Sequence, residues 1–231
     1  MPQHFYPFTQ EHFIAVGVGI TVGVIIISVG KFSRFKKWTT AILVFLNLSA
    51  YPLGQMAWLS VDEVQSIDNI VPLHLCDIAA MIAGFALLTK RPILCSLTYF
   101  WGLTATTQAI LTPALTLGPA HWPFFSFFLH HFAIVTAALY LPIVEGWRPK
   151  QPFWKGPLEA NAWILIYLAV AMTANHLLAS NFAFASHPPD NPSLIDHLGS
   201  WPWYLVMMQT IALVFFFLLA LPFVKKAQKY S

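Results

Sequence analysis

Charged side chains are scarce in this sequence: Asp, Glu, Lys and Arg make up 9% of 231 residues, against about a quarter in an ordinary water-soluble domain. With 58% hydrophobic residues and a mean hydropathy of +0.65, too little polar surface exists to cover a soluble globule, and the composition is that of a membrane protein. Only two cysteines are present, which excludes a disulfide framework. The seventeen prolines and eleven glycines are spread along the chain, which excludes a disordered low-complexity body. A net charge of +3 is too weak a basic field for a nucleic-acid surface. Also missing are a phosphate-cradling G-x-x-x-x-G-K, a G-x-S-x-G elbow, a dinucleotide fingerprint and any H-x-x-x-H or H-E-x-x-H. Nucleotide-driven chemistry, the α/β-hydrolase arrangement and the common zinc-binding helix thus lack their signatures.

What the chain does have is long apolar runs. A hydrocarbon core of about 30 Å needs about 20 apolar residues as helix. Seven such runs, bounded by charge, proline or tryptophan, lie near 13–30, 39–60, 72–89, 92–113, 124–144, 158–180 and 201–224. Connections are short and no internal repeat is visible, so residues 1–231 read as a single all-α membrane domain, a bundle of seven transmembrane helices. All twelve basic residues fall on one side: Lys31, Arg34, Lys36 and Lys37, then Lys90 and Arg91, then Arg148, Lys150 and Lys155, and finally Lys225, Lys226 and Lys229. By the positive-inside rule these segments are cytoplasmic, with the N-terminus outside and the C-terminus inside. Glu11, Asp62, Glu63, Asp68, Asp190 and Asp196 fall in the outer segments. No Lys or Arg precedes the first run, which argues against a cleaved signal peptide.

Polar groups inside a bilayer are costly, so those within the spans are the candidates for function. Cys76 lies fourteen residues from Lys90 and His131 fourteen from Glu145, which at helical rise sets both about 21 Å above the inner boundary. Gln108 and Asn175 come out about 26 to 27 Å up by the same rise. Gln55, Thr112, His74 and Asp77 belong to that outer half as well. A polar pocket is therefore expected in the outer half of the bundle. Cys95, about 6 Å up, is too far from Cys76 for a disulfide. His74 and Asp77, three apart, share a helix face, whereas Cys76 points away from His74. A base for Cys76 must come from another helix, and His131 or His130 stands at the right depth.

A thiol is a weak nucleophile at neutral pH until an imidazole takes its proton and a carboxylate or amide fixes the tautomer. Gln108 or Asn175 are candidates to hydrogen-bond a developing oxyanion, worth about 2.7 to 4 kcal/mol per donor. Ala79, Ala80 and Ala83 beside Cys76 permit close helix packing or an acyl-chain slot. Set against this, a lone buried cysteine is commonly just a small hydrophobe. Gln108, Asn175 and Gln55 can act as interhelical glue, Asp77 can be a structural partner of His74, and the Gly19/Gly23 pair is a packing signal. Histidine, Asp77 and His176 also allow a metal site built from His74, Asp77, His130 or His131, and His176. Three readings follow: acyl chemistry without a cofactor, a non-enzymatic lipid-binding protein or small-molecule transporter, and a zinc-dependent membrane hydrolase.

The segments Leu73-His74-Leu75-Cys76, Trp101-Gly102-Leu103 with Gln108-Ala109-Ile110-Leu111-Thr112-Pro113, and Phe127-Phe128-Leu129-His130-His131 resemble the YwaF family of bacterial integral membrane proteins. The similarity runs over most of the chain. That family is related to an animal transmembrane protein described as a cysteine-centred acyltransferase of polyunsaturated ether phospholipids. More distantly, both resemble membrane hydrolases of branched fatty acid esters that use Thr and His. The resemblance implies Cys76 as nucleophile and the fifth-span histidine, placed at His131, as its base. Phe132 stands where a glycine is expected after that histidine, and the doubled His130-His131 leaves the register open by one residue. The expected activity is lipid acyl transfer or acyl-ester hydrolysis in a bacterial cytoplasmic membrane. Its substrate is a phospholipid or fatty-acyl lipid, with no nucleic-acid partner.

Overall fold

The computed structural model describes residues 4–61 and 66–224. Lys225, Lys226, Lys229, Asp62 and Glu63 lie outside the described residues. The chain is helical, with an isolated β-bridge between His4 and Leu117 and no strand among the described residues. In chain order the helices are α1 (Gln10–Gly30), α2 (Ser33–Trp58), a short α3 (Ile67–Ile70), α4 (Leu75–Thr89), α5 (Pro92–Trp101), α6 (Thr107–Leu111), α7 (Trp122–Ile143), α8 (Lys155–Leu178) and α9 (Trp203–Ala220). Six segments are long and apolar enough to cross a membrane: Gln10–Gly30, Ser33–Trp58, Ile67–Thr89, Trp122–Ile143, Lys155–Leu178 and Trp203–Phe223.

The run at 92–113 is helical but divided. A π-helical segment, Gly102–Thr106, separates α5 from α6, so neither part alone is long enough to span. A Cβ on Gly102 would stand 3.1 Å from the Cβ of Ala138 and 3.2 Å from Ile134 on α7, so the segment widens where its backbone comes closest to α7. The run expected at 72–89 starts late. Pro72 disfavours the helical region for Val71, which is extended (φ −94°, ψ 125°), and α4 begins only at Leu75. At α8, Pro157 sits in the first turn, where its missing N–H costs nothing.

Helix α7 packs against α1, α2, α4 and α5. Along α1, the close approaches are to Phe132 from Gly19, to Thr136 from Gly23 and to Tyr140 from Gly30, where an added Cβ would stand 2.2, 2.8 and 2.6 Å away. The Gly19/Gly23 pair is thus a packing face toward α7. On the α2 side, Asn47 donates to the carbonyls of Leu43 (2.8 Å) and Ala133 (3.1 Å). The Tyr140 hydroxyl bonds Thr39 at 2.7 Å and Thr40 at 3.1 Å.

Glu145, just past α7, pairs with Lys36 at 2.9 Å and Lys90 at 2.8 Å. The starts of α2 and α5 and the ends of α1, α4 and α7 therefore gather at one end of the bundle, together with the basic residues between them. Helices α8 and α9 cover α5: Trp101 donates to the Ala160 carbonyl (3.1 Å) and Tyr99 to that of Leu219 (3.1 Å). The other end is roofed by loops, pinned where the amide of Asn181 donates to Asp68 (2.7 Å) and Asn191 donates to the carbonyls of Pro113 (3.2 Å) and Leu115.

Candidate functional site

Beneath that roof lies a cavity of about 810 Å³, bounded by α2, the head of α4, the π-helical segment, α6, α7, α8 and α9. Its rim is formed by residues 66–69, 112–116 and 181–198, at the end away from Glu145 and the basic loops. The expected polar pocket is thus present. Cys76, Asp77, His74, His130, His131, Gln55, Gln108 and Thr112 all line it. Asn175 does not: it accepts from the Phe182 amide (2.7 Å) and the Ser180 hydroxyl (3.1 Å) and donates to the Phe182 carbonyl (3.1 Å). Its amide closes the C-terminal turn of α8.

The head of α4 is set by chain stiffness and one hydrogen bond. Pro72 keeps the preceding chain extended, the Tyr167 hydroxyl donates to the Leu73 carbonyl at 3.0 Å, and His74 is the N-cap of α4. His74 thus caps the helix that carries Asp77 in its first turn. The His74 ring packs against Phe182 and Phe184, with centroids 5.5 and 5.9 Å apart, while the Asp77 amide donates to the His74 carbonyl (3.0 Å). Cys76 and Asp77 occupy the first turn, at the positive end of the helix dipole.

The sulfur of Cys76, a carboxylate oxygen of Asp77 and a ring nitrogen of His130 lie within 4.8 Å of one another. His130 Nε2 is 3.1 Å from the Cys76 carbonyl oxygen. A carbonyl only accepts, so Nε2 carries the proton and the neutral ring keeps its lone pair on Nδ1. His131 has the opposite tautomer: its Nδ1 donates to the Phe127 carbonyl at 2.7 Å, leaving Nε2 as acceptor. The two imidazole centroids are 5.2 Å apart. Both rings line the cavity, and it is His130 that groups with Cys76. The metal set drawn through His176 does not assemble, because His176 is exposed on α8 while its neighbour Asn175 faces inward.

Two of the remaining polar residues serve the cavity wall. Gln108 Nε2 donates to Thr112 Oγ1 at 2.9 Å, and Gln55 donates to the Asn69 carbonyl, tethering α3 to α2. Among the lining residues that the sequence reading does not single out are Tyr167, Thr104 and Gln209. The Oγ1 of Thr104 and the Oε1 of Gln209 are buried without a hydrogen-bond partner among the described residues. Gln209 interrupts an apolar run, the same signal that marked Gln108.

Apolar helices enclosing a buried cavity with ionisable walls define a multi-pass integral membrane protein with a site inside its helical bundle. The chain belongs to the TMEM164 family, whose sequence model matches residues 6–220. No curated protein and no solved structure matches it.

Proposed function

We propose that this protein transfers or hydrolyses a lipid acyl group inside the membrane, with Cys76 as nucleophile and an α7 imidazole as base. The observation that carries this reading is the approach of the Cys76 sulfur to a His130 ring nitrogen, within 4.8 Å, in a cavity large enough for an acyl chain. In the cycle, the imidazole takes the thiol proton and the thiolate attacks the ester carbonyl carbon. Collapse breaks the ester C–O bond, and the imidazolium returns its proton to the departing lysolipid oxygen. The Cys76 thioester then passes its acyl group to a second lysolipid hydroxyl, or to water, deprotonated by the same ring. His130 is the base nearest the sulfur. His131 is the second imidazole, and the likeness to the YwaF family and its cysteine-centred acyltransferase relative favours one of this pair.

Counting α5, the π-helical segment and α6 as a single crossing gives seven spans, with the N-terminus outside and the C-terminus cytoplasmic in a bacterial inner membrane. The cavity then opens to the outer leaflet. The gathering of Lys36, near the start of α2, and Lys90, at the end of α4, around Glu145 supports a common cytoplasmic side for these basic segments.

The test is to incubate purified protein with mixed phospholipids and follow acyl redistribution by mass spectrometry. Wild type is expected to exchange acyl groups and to carry a hydroxylamine-sensitive acyl adduct, and Cys76→Ala to do neither. A folded Cys76→Ala protein with full exchange removes the enzyme reading. Tightly bound lipid with no turnover in wild type favours a lipid-binding protein instead.

A further inference from the structure

Three different metal-ligating groups converge at the head of α4. Cys76 Sγ, an Asp77 carboxylate oxygen and a His130 ring nitrogen lie within 4.8 Å of one another, all on the wall of the same cavity. Ligands of a tetrahedral ion with bonds of about 2.0 to 2.3 Å stand about 3.3 to 3.8 Å apart. The three ligand atoms therefore stand at most about 1.0 to 1.5 Å farther apart than such an ion requires.

Charge supplies the second argument. Every described Lys and Arg lies at the opposite end of the bundle, so around the cavity Asp77 shares the wall with the histidines His74, His130, His131 and His187 and the acids Asp68 and Asp190, and with no lysine or arginine. A partly buried carboxylate without a cationic partner is costly in an apolar setting. A divalent ion held by one thiolate, one carboxylate and one neutral imidazole makes a group of zero net charge, which such a setting tolerates. The hydrogen bond from His130 Nε2 to the Cys76 carbonyl (3.1 Å) completes the arrangement. It holds the ring with Nδ1 free to ligate, as the outer partners of metal-bound histidines do.

We propose that Cys76, Asp77 and His130 form an open three-ligand site for a thiophilic divalent cation of the zinc type, its fourth position facing the cavity. The thiolate selects zinc or cobalt over magnesium and calcium. On binding, the metal–sulfur bond replaces the S–H bond, and the thiol proton leaves through the cavity. The regulatory consequence rests on the acyl-transfer reading, although the binding does not: a metal-bound sulfur and an occupied Nδ1 leave neither nucleophile nor base, so loading switches the site off.

The experiment titrates metal-stripped, full-length protein in detergent with Co²⁺ alone and reads absorbance. One equivalent is expected to give a thiolate-to-cobalt charge-transfer band in the near ultraviolet and strong visible bands of four-coordinate cobalt, both erased by Zn²⁺. Cys76→Ser should abolish the charge-transfer band, and Asp77→Asn and His130→Gln should each weaken cobalt affinity by on the order of 10-fold or more. Cys95→Ser should leave the spectrum unchanged. Thermal melting of each variant separates misfolding from ligand loss. No charge-transfer band, full affinity in both Asp77→Asn and His130→Gln, or loss of the band in Cys95→Ser overturns the site. Acyl transfer is assayed separately on the stripped protein. Transfer that appears only after Zn²⁺ is added overturns the switch, while a protein that binds cobalt and never transfers sinks the acyl reading and leaves the site standing.

Discussion

His130 Nε2 lies 3.1 Å from the carbonyl oxygen of Cys76, so the base candidate on α7 is anchored to the backbone of the residue it would activate. The contact joins two segments 54 residues apart in sequence and fixes which ring nitrogen holds the proton. It also gives the doubled histidine an asymmetry: His130 is tied to α4, and His131 to its own helix through Phe127.

From that asymmetry, His130→Gln is expected to lower acyl transfer by roughly 10²- to 10⁴-fold, the usual worth of a general base, and His131→Gln by less. Initial rates of acyl redistribution, normalised to folded protein, provide the measurement. The reverse ranking would give the base role to His131.

Steric fit between α1 and α7 makes a stability prediction. A Cβ on Gly19 would stand 2.2 Å from the Phe132 ring, so Gly19→Ala should destabilise by about 1 to 3 kcal/mol. Combining it with Phe132→Ala should cost less than the sum of the two single changes, because the clash is then gone. Thermal melts of the four proteins in detergent supply the cycle, and strict additivity would refute the contact.

The charge cluster outside the membrane makes a pH prediction. Burial raises the Glu145 carboxyl, but hydrogen bonds and charge from Lys90 and Lys36 outweigh it and hold the group below the ordinary glutamate value. A carboxyl depressed in the folded state contributes stability above its unfolded value of about 4.3 and loses it as pH falls through the folded value. Both lysines are about 40% exposed, so the effect is about 1 kcal/mol. Melting temperature should fall in wild type as the medium is acidified below about pH 4.3. In Glu145→Gln it should start lower at neutral pH and change less.

Asn175 separates scaffold from site. Asn175→Ala strands the buried Phe182 amide and carbonyl and should cost about 1 to 3 kcal/mol of stability, while transfer per folded molecule stays unchanged. A selective loss of turnover at wild-type melting temperature would instead return Asn175 to the substrate.

The helical, membrane-embedded architecture was legible because apolar runs and one-sided basic loops are properties of linear sequence. So was the pocket's end of the bundle, since depth along a helix follows from residue counting. What counting cannot supply is rotation and local unwinding. Counting sets Asn175 among the pocket residues, but its side chain turns to Phe182. His74 was read as helical, yet Pro72 delays α4 to Leu75. The π-helical widening at Gly102–Thr106 follows from the approach of α7, a tertiary constraint absent from local pattern. Phe132, odd in sequence where a glycine was expected, makes sense once Gly19 is seen beneath it.

Glu145 also bears on where the bundle can move. One carboxylate ties Lys36 in the first turns of α2 and Lys90 at the end of α4 to the foot of α7, and the Tyr140 hydroxyl stitches α2 to the same place. Splaying of these helices is thereby resisted at their feet, so the bundle works like a pair of tongs whose pivot is the ionic knot. Any parting of the helices is then easiest farthest from that pivot, beside the cysteine.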